Sequence, residues 1–125
     1  MTLQRGADVG LRALLTLIFV AAGGAKLLGV SMMVDIFETI GWGQWFRYVT
    51  ALVELGAAAL LWVPGLNVLG AALLLATMLC GALFHLLILG PSAVPALILA
   101  AFCAAVIYVQ RAQIEPLAAR FMARS

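Results

Sequence analysis

Apolar residues fill four long stretches of the chain, and the polar residues collect between them. The stretches run over residues 9–28, 46–63, 66–89 and 93–110. Each approaches the roughly 20 residues a helix needs to cross the hydrocarbon of a bilayer. Helix is the required form, because lipid offers no partners to open backbone groups. Pro64-Gly65 and Gly90-Pro91 interrupt the apolar runs and predict tight turns between successive helices. The first stretch is short between Arg12 and Lys26, whose long stems can carry their charges towards opposite surfaces.

The segment SMMVDIFETIGWGQW separates the first two stretches. Met33, Ile36, Phe37 and Ile40 recur at helical spacing, and Gly41 can end the helix. Trp42 and Trp45 follow, residues suited to the headgroup level. The pattern predicts a short interfacial helix over 32–40, serving either as a cap on the bundle or as a lid over an opening. The tail, 111–125, sets Ile114, Leu117 and Phe121 against Arg111, Arg120 and Arg124, as a helix anchored on anionic headgroups would. The expected fold is all-α: an integral membrane four-helix bundle with a short interfacial helix between helices one and two, forming a single domain over residues 1–125. GAAAL and GAALL, at Gly56 and Gly70, offer small-residue surfaces for close helix packing.

Composition supports the class. Hydrophobic residues make up 66% of the chain and charged residues 10%, whereas a soluble domain carries about a quarter charged residues. A net charge of +2 gives no footprint for nucleic acid; the partner the apolar composition implies is the lipid bilayer. The arginines are informative by position. Arg5 and Arg12 flank the start, and Arg111, Arg120 and Arg124 follow the last stretch. Four crossings would place both termini on one side, and the positive-inside rule makes that side cytoplasmic. The loop holding Lys26, Asp35, Glu38 and Arg47 is balanced in charge and would lie outside. Arg5 and Arg12 ahead of an apolar run ending in AAGGA imitate a signal peptide. A retained helix is preferred, because the following segments need a partner to pack against. Cys80 and Cys103 lack a CxxC spacing and read as small hydrophobes.

The chemistry concentrates on a few intramembrane polar residues. In YVTALVELGAAALLW, Glu54 falls near the bilayer midplane. A charge there costs about 2.5–3.5 kcal/mol on insertion scales, so Glu54 is expected to face protein. Positions 47, 50, 54 and 58 share a helical face, and Ala51, Ala57 and Ala58 let another helix come close. His85 lies late in the third stretch, with Gly81 one turn below, and Lys26 ends the first. Lys26, Arg47 and His85 would form an outer polar layer from three helices, with Thr50 between and Glu54 beneath. These five residues are the candidates for ligand binding or proton handling. Two readings stay open: a polar clasp that fixes helix register, or a functional site. Haem is disfavoured, since Met78 lies on the same helix as His85 and cannot complete the same iron. The clustered ligands are too few for a metal.

The stretches FVAAGGAKLLG (residues 19–29) and FRYVTALVELGAAALLWVPGLNVLGAALLLATMLCGALFHLL (residues 46–87) resemble the DoxX-like family of small bacterial membrane proteins. Lys26, Glu54 and His85 are the positions that carry the resemblance. It implies a four-helix bundle in the bacterial inner membrane. The family takes its name from a subunit associated with a thiosulfate–quinone oxidoreductase, and other members are linked to redox-stress complexes. No haem, flavin or iron–sulfur motif is present, so a redox role would require a protein partner or a bound quinone. Three functions follow as expectations. The first is a redox-linked accessory subunit with an outer polar pocket for a quinone-like or amphipathic ligand. The second is a non-catalytic assembly protein, engaging a protein partner or a second copy. The third is a proton-coupled transporter, on the analogy of small exporters with one membrane glutamate.

Overall fold

Helices account for nearly all of the residues the structure describes, 2–89 and 93–124. In this computed structural model six α-helices follow one another: α1 (Thr2–Leu28), α2 (Ser31–Ile40), α3 (Trp45–Leu60), α4 (Asn67–Phe84), α5 (Val94–Val109) and α6 (Ile114–Arg124). A π-helical turn, His85–Leu89, continues α4, and a 3-10 turn, Arg111–Gln113, leads into α6. No strand occurs among the described residues. The expected break at Gly90-Pro91 lies outside them, as do the side chains of Arg5 and Arg124.

The long helices pack in a closed circuit: α1 on α3, α3 on α4, α4 on α5, and α5 back on α1. Their common core is Leu15, Phe19, Ala57, Ala58, Leu61, Ala71, Leu74, Cys103 and Val106. Small residues set the closest approach. A Cβ at Gly70 would lie 2.7 Å from the Ala57 carbonyl oxygen and 2.9 Å from Leu60 Cβ, so α3 and α4 touch there almost backbone to backbone. Many large apolar side chains point outward, among them Leu17 (72% exposed) and Leu87 (73%). A water-facing surface buries such residues; a lipid-facing one has no reason to.

Several boundaries differ from those the pattern predicts. α1 begins at Thr2 rather than near residue 9, so Asp8 as well as Arg12 lies within the helix. The third stretch does not run to residue 89 as one α-helix: α-geometry stops at Phe84 and a π turn takes over at His85. α3 has 16 residues, about 24 Å at 1.5 Å per residue. That is less than the roughly 30 Å of hydrocarbon. Gly6–Leu28 and Asn67–Ile88 are long and apolar enough to cross a membrane. α5 and the segment Arg111–Met122 meet the same test together, across a bend of 64°. The chain is therefore a membrane protein, all-helical among the described residues, which hold two such helices, or three if the bent pair is one span.

α2 lies over one end of the circuit, where it meets the π turn and α3. It ends on Gly41 at φ 85°, whose N–H donates to the Phe37 carbonyl at 3.2 Å. A helix thus forms where the pattern predicts one, one residue longer than predicted, with Phe37 and Ile40 turned inward. Leu117 of α6 is also buried, so that expected lipid-facing residue faces protein.

Candidate functional site

Gly23 sets the site's geometry. A Cβ there would lie 2.8 Å from Leu55 Cγ and 3.4 Å from the Ala51 carbonyl oxygen, so α1 passes close to α3. Lys26, almost one turn further on, is thereby brought opposite Glu54. Its Nζ lies 2.6 Å from Glu54 Oε1, with the lysine side chain 12% exposed and the glutamate 1%.

The pair borders a cavity of about 490 Å³ between α2, α3, α4 and the start of α5. Its walls are mainly apolar, including Met33, Phe37, Phe46 and Leu99. The polar side chains on its lining are Lys26, Thr50, Glu54, Thr77 and His85, with the Cys80 thiol beside them. Both threonines spend their hydroxyl protons on their own helices. Thr50 donates to the Phe46 carbonyl at 2.9 Å, and Thr77 to the Leu73 carbonyl at 2.8 Å. His85 differs: its Nδ1 is buried and has no hydrogen-bond partner. It stands at the first position of the π turn, and π turns recur at functional sites. A Cβ at Gly81 would meet nothing within 4 Å, so the space below His85 is open.

Lys26, Glu54, Thr50 and His85, four of the five sequence candidates, line this one cavity. Arg47 does not. Arg47 is buried, 6% exposed, and its guanidinium is spent on partners other than Glu54. Nε donates to Gln44 Oε1 at 2.8 Å, one Nη to the Lys26 carbonyl, and the other to the Tyr48 hydroxyl at 3.2 Å. It also covers the Tyr48 ring at 4.5 Å. Gly29, at φ 71°, leaves it room: a Cβ there would be 3.4 Å from Nη1. Gln44 in turn donates to the Val34 carbonyl at 3.1 Å. Arg47 therefore ties the α1–α2 turn and α2 to the start of α3, and so holds the roof of the cavity. The face shared by residues 47 and 54 exists, but the long side chain at the helix start reaches the Lys26 carbonyl, which also accepts from Gly29 N–H at 3.3 Å, instead of the acid two turns away.

A second polar cluster occupies the opposite end of α1. Asp8 Oδ2 accepts from Arg12 Nε at 3.0 Å and from Gln110 Nε2 at 2.9 Å, and lies 2.8 Å from Arg12 Nη2. Arg12 Nη1 also donates to the Leu61 carbonyl at 2.9 Å, and Asn67 Nδ2 shares that acceptor. Gln113 donates to Asn67 Oδ1 at 2.8 Å and accepts from the Val68 N–H at 3.0 Å. Arg12 was expected to reach for the surface; it turns inward, because the carboxylate one turn earlier and the carbonyl ending α3 give it fixed acceptors. The i,i+4 spacing of Asp8 and Arg12 was the signal available for this cluster. Between the two polar layers lies the apolar core, without a polar side chain among its members.

Among the described residues, no three His, Cys, Asp or Glu side chains group closely enough to hold a metal ion. The family model of the DoxX-like family matches residues 10–109 of the 125.

The chain belongs to the DoxX-like family.

The matched span includes every residue lining the cavity of this DoxX-like chain, whereas Asp8, Gln110 and Gln113 fall outside it. Searches of curated proteins and of solved structures gave no match.

Proposed function

We propose that this DoxX-like protein is a redox-linked accessory subunit of the bacterial inner membrane that binds a quinone-like amphipathic ligand in the Lys26–Glu54–His85 cavity. In this reading the chain is one domain crossing the membrane four times. Its short α3 is compensated by local thinning of the bilayer, and its termini lie in the cytoplasm, where the arginines collect. The observation that carries the reading is the buried, unpartnered His85 Nδ1 on an apolar cavity that also holds the Lys26–Glu54 pair. A buried polar atom without a partner is costly, and a ligand polar group beside it removes that cost.

The residues present fit such a ligand. A volume of about 490 Å³ lies within the range of small-molecule sites, and the lining has the usual few polar groups on an apolar wall. A quinone would supply two-electron, two-proton redox chemistry, with electrons from a protein partner. The chain's own part is to orient and to exchange protons: His85 Nδ1 hydrogen-bonds a carbonyl or hydroxyl, and Lys26 and Glu54 hold a proton beside the head group. Transport of protons across the membrane is disfavoured, because the apolar core separates this layer from the Asp8–Arg12 layer. The cavity therefore exchanges protons with one side.

The test is to purify the protein in nanodiscs, identify the co-extracted lipids, and measure thermal stabilisation by added quinone. Retained quinone and a stabilisation lost in His85→Phe are expected. No quinone and no shift, with one protein recovered in stoichiometric amount, would replace this reading with that of a non-catalytic assembly subunit.

A further inference from the structure

The cavity's mouth opens on an exposed apolar strip of α3 and α4. Val49, Val53 and Leu73 line it and are also exposed, at 44%, 37% and 39%. Ala76 and Cys80 continue the same exposed strip along α4. The roof is closed. Phe37 is 5% exposed beneath α2, and Trp42 packs on Phe46 and Phe84 with ring centroids 5.0 and 5.5 Å away. The opening has a structural cause. α3 and α4 meet tightly at Gly70 and Ala57, and further along α4 the open space at Gly81 shows the helices no longer filling the gap between them.

The charges on the lining cancel. Lys26 and Glu54 are its charged residues, and they are paired. Arg47, the nearby arginine, is committed to Gln44, Tyr48 and the Lys26 carbonyl. An anionic head group would find no uncommitted cation on this lining and would compete with Glu54 for Lys26.

We infer that the cavity is loaded sideways from the bilayer, between α3 and α4, by a lipid with an uncharged polar head and a hydrocarbon tail. The head reaches Lys26, Glu54 and His85, and the tail leaves over Val53, Leu73, Ala76 and Cys80 into the membrane. The inference rests on the proposed amphipathic-ligand site and adds its route and its selectivity for neutral heads. The polar end and the exposed apolar mouth belong to one volume, so a single molecule with a polar head and an apolar tail fills both.

The experiment uses the full chain in nanodiscs and three ligands: a fully substituted benzoquinone with a long isoprenoid tail, the same head without the tail, and a long-chain fatty acid. Ala76→Trp narrows the mouth without touching the polar end. It is expected to weaken the long-tail quinone by about tenfold, or about 1.4 kcal/mol, and to leave the tail-less head unchanged. The fatty acid is expected to bind the unmodified protein about tenfold more weakly than the long-tail quinone. Native cysteines give a second readout that needs no variant. Cys80 is exposed at the mouth and Cys103 is 0% exposed, so a lipid-soluble maleimide should label Cys80, and the long-tail quinone should slow that labelling. Equal long-tail binding by Ala76→Trp, or no protection of Cys80 while quinone is bound, overturns the sideways route. A fatty acid that binds as well as the quinone overturns the selectivity for neutral heads. Failure of the unmodified protein to bind either quinone overturns the site itself.

Discussion

Lys26 Nζ stands 2.6 Å from Glu54 Oε1, across the closest approach of α1 to α3. Both side chains are withdrawn from their surroundings, so each depends on the other for compensation. Removing one partner of such a pair costs about 3 kcal/mol, because the remaining charge is stranded, whereas replacing both with apolar groups is often neutral. Lys26→Met and Glu54→Leu are each expected to lose about that much, and the double variant much less than the sum. Unfolding followed in detergent micelles measures the cycle. Additive losses would mean the two side chains are not coupled.

Arg47 predicts a different failure. Its fork meets three acceptors at once, which an ammonium cannot reproduce. Arg47→Lys should cost about 1–2 kcal/mol and loosen α2 before the rest of the chain. Limited proteolysis checks this: cleavage within Ser31–Ile40 should rise, while α4 stays protected. Uniform sensitivity along the chain would show that Arg47 is not the tie that holds α2.

How far the sequence carried the reading depends on whether a feature was local. The short helix α2 was legible because Met33, Phe37, Ile40 and Gly41 set its face and its end within a few residues. Lys26, Glu54 and His85 were legible as a group because polar residues are rare in apolar stretches and depth can be counted along a helix. The destination of Arg47 was not legible, since it depends on the Lys26 carbonyl near the end of α1 and on the glycine that makes room. The Asp8–Arg12 cluster was missed for a related reason. Gln110 and Gln113 sit at the far end of the chain, and nothing in their neighbourhood announces that Gln110 returns to α1 and Gln113 to the start of α4. The π turn left no signal in the hydrophobic pattern, which continues through it.

The Gly70 contact separates packing from propensity. Alanine is a better helix former than glycine by about 0.8–1.0 kcal/mol in a helix interior. At Gly56, where a Cβ would meet nothing within 4 Å, Gly→Ala should therefore stabilise. At Gly70 the added carbon falls 2.7 Å from the Ala57 carbonyl oxygen and 3.0 Å from the Leu61 nitrogen, both backbone atoms that cannot swing aside. Overpacking there should outweigh the propensity gain and leave a net loss of about 1–2 kcal/mol. Opposite signs for Gly56→Ala and Gly70→Ala in the same unfolding assay are the expected result; equal signs would refute the close α3–α4 approach.

The Asp8–Arg12 cluster should behave as a single unit with one keystone. Asp8 Oδ2 alone receives Arg12 and Gln110, so Asp8→Ala removes the acceptor for both at once. Arg12 would then keep the Leu61 carbonyl and the Trp62 ring, 4.9 Å away, but no counter-ion, with its side chain 13% exposed. A loss of about 3 kcal/mol follows. Gln113→Ala removes neutral contacts to Asn67 and the Val68 N–H, and about 1 kcal/mol is expected. Asp8→Asn should fall between them, because an amide oxygen can still accept where Oδ2 does but no longer balances the guanidinium. Since the apolar core lies between this cluster and the cavity, none of the three should change quinone binding in protein that has folded. Unfolding midpoints in the order Asp8→Ala below Asp8→Asn below Gln113→Ala, with unchanged binding, is the expected outcome. Weakened binding in folded Gln113→Ala would instead show that the two polar layers communicate through the core.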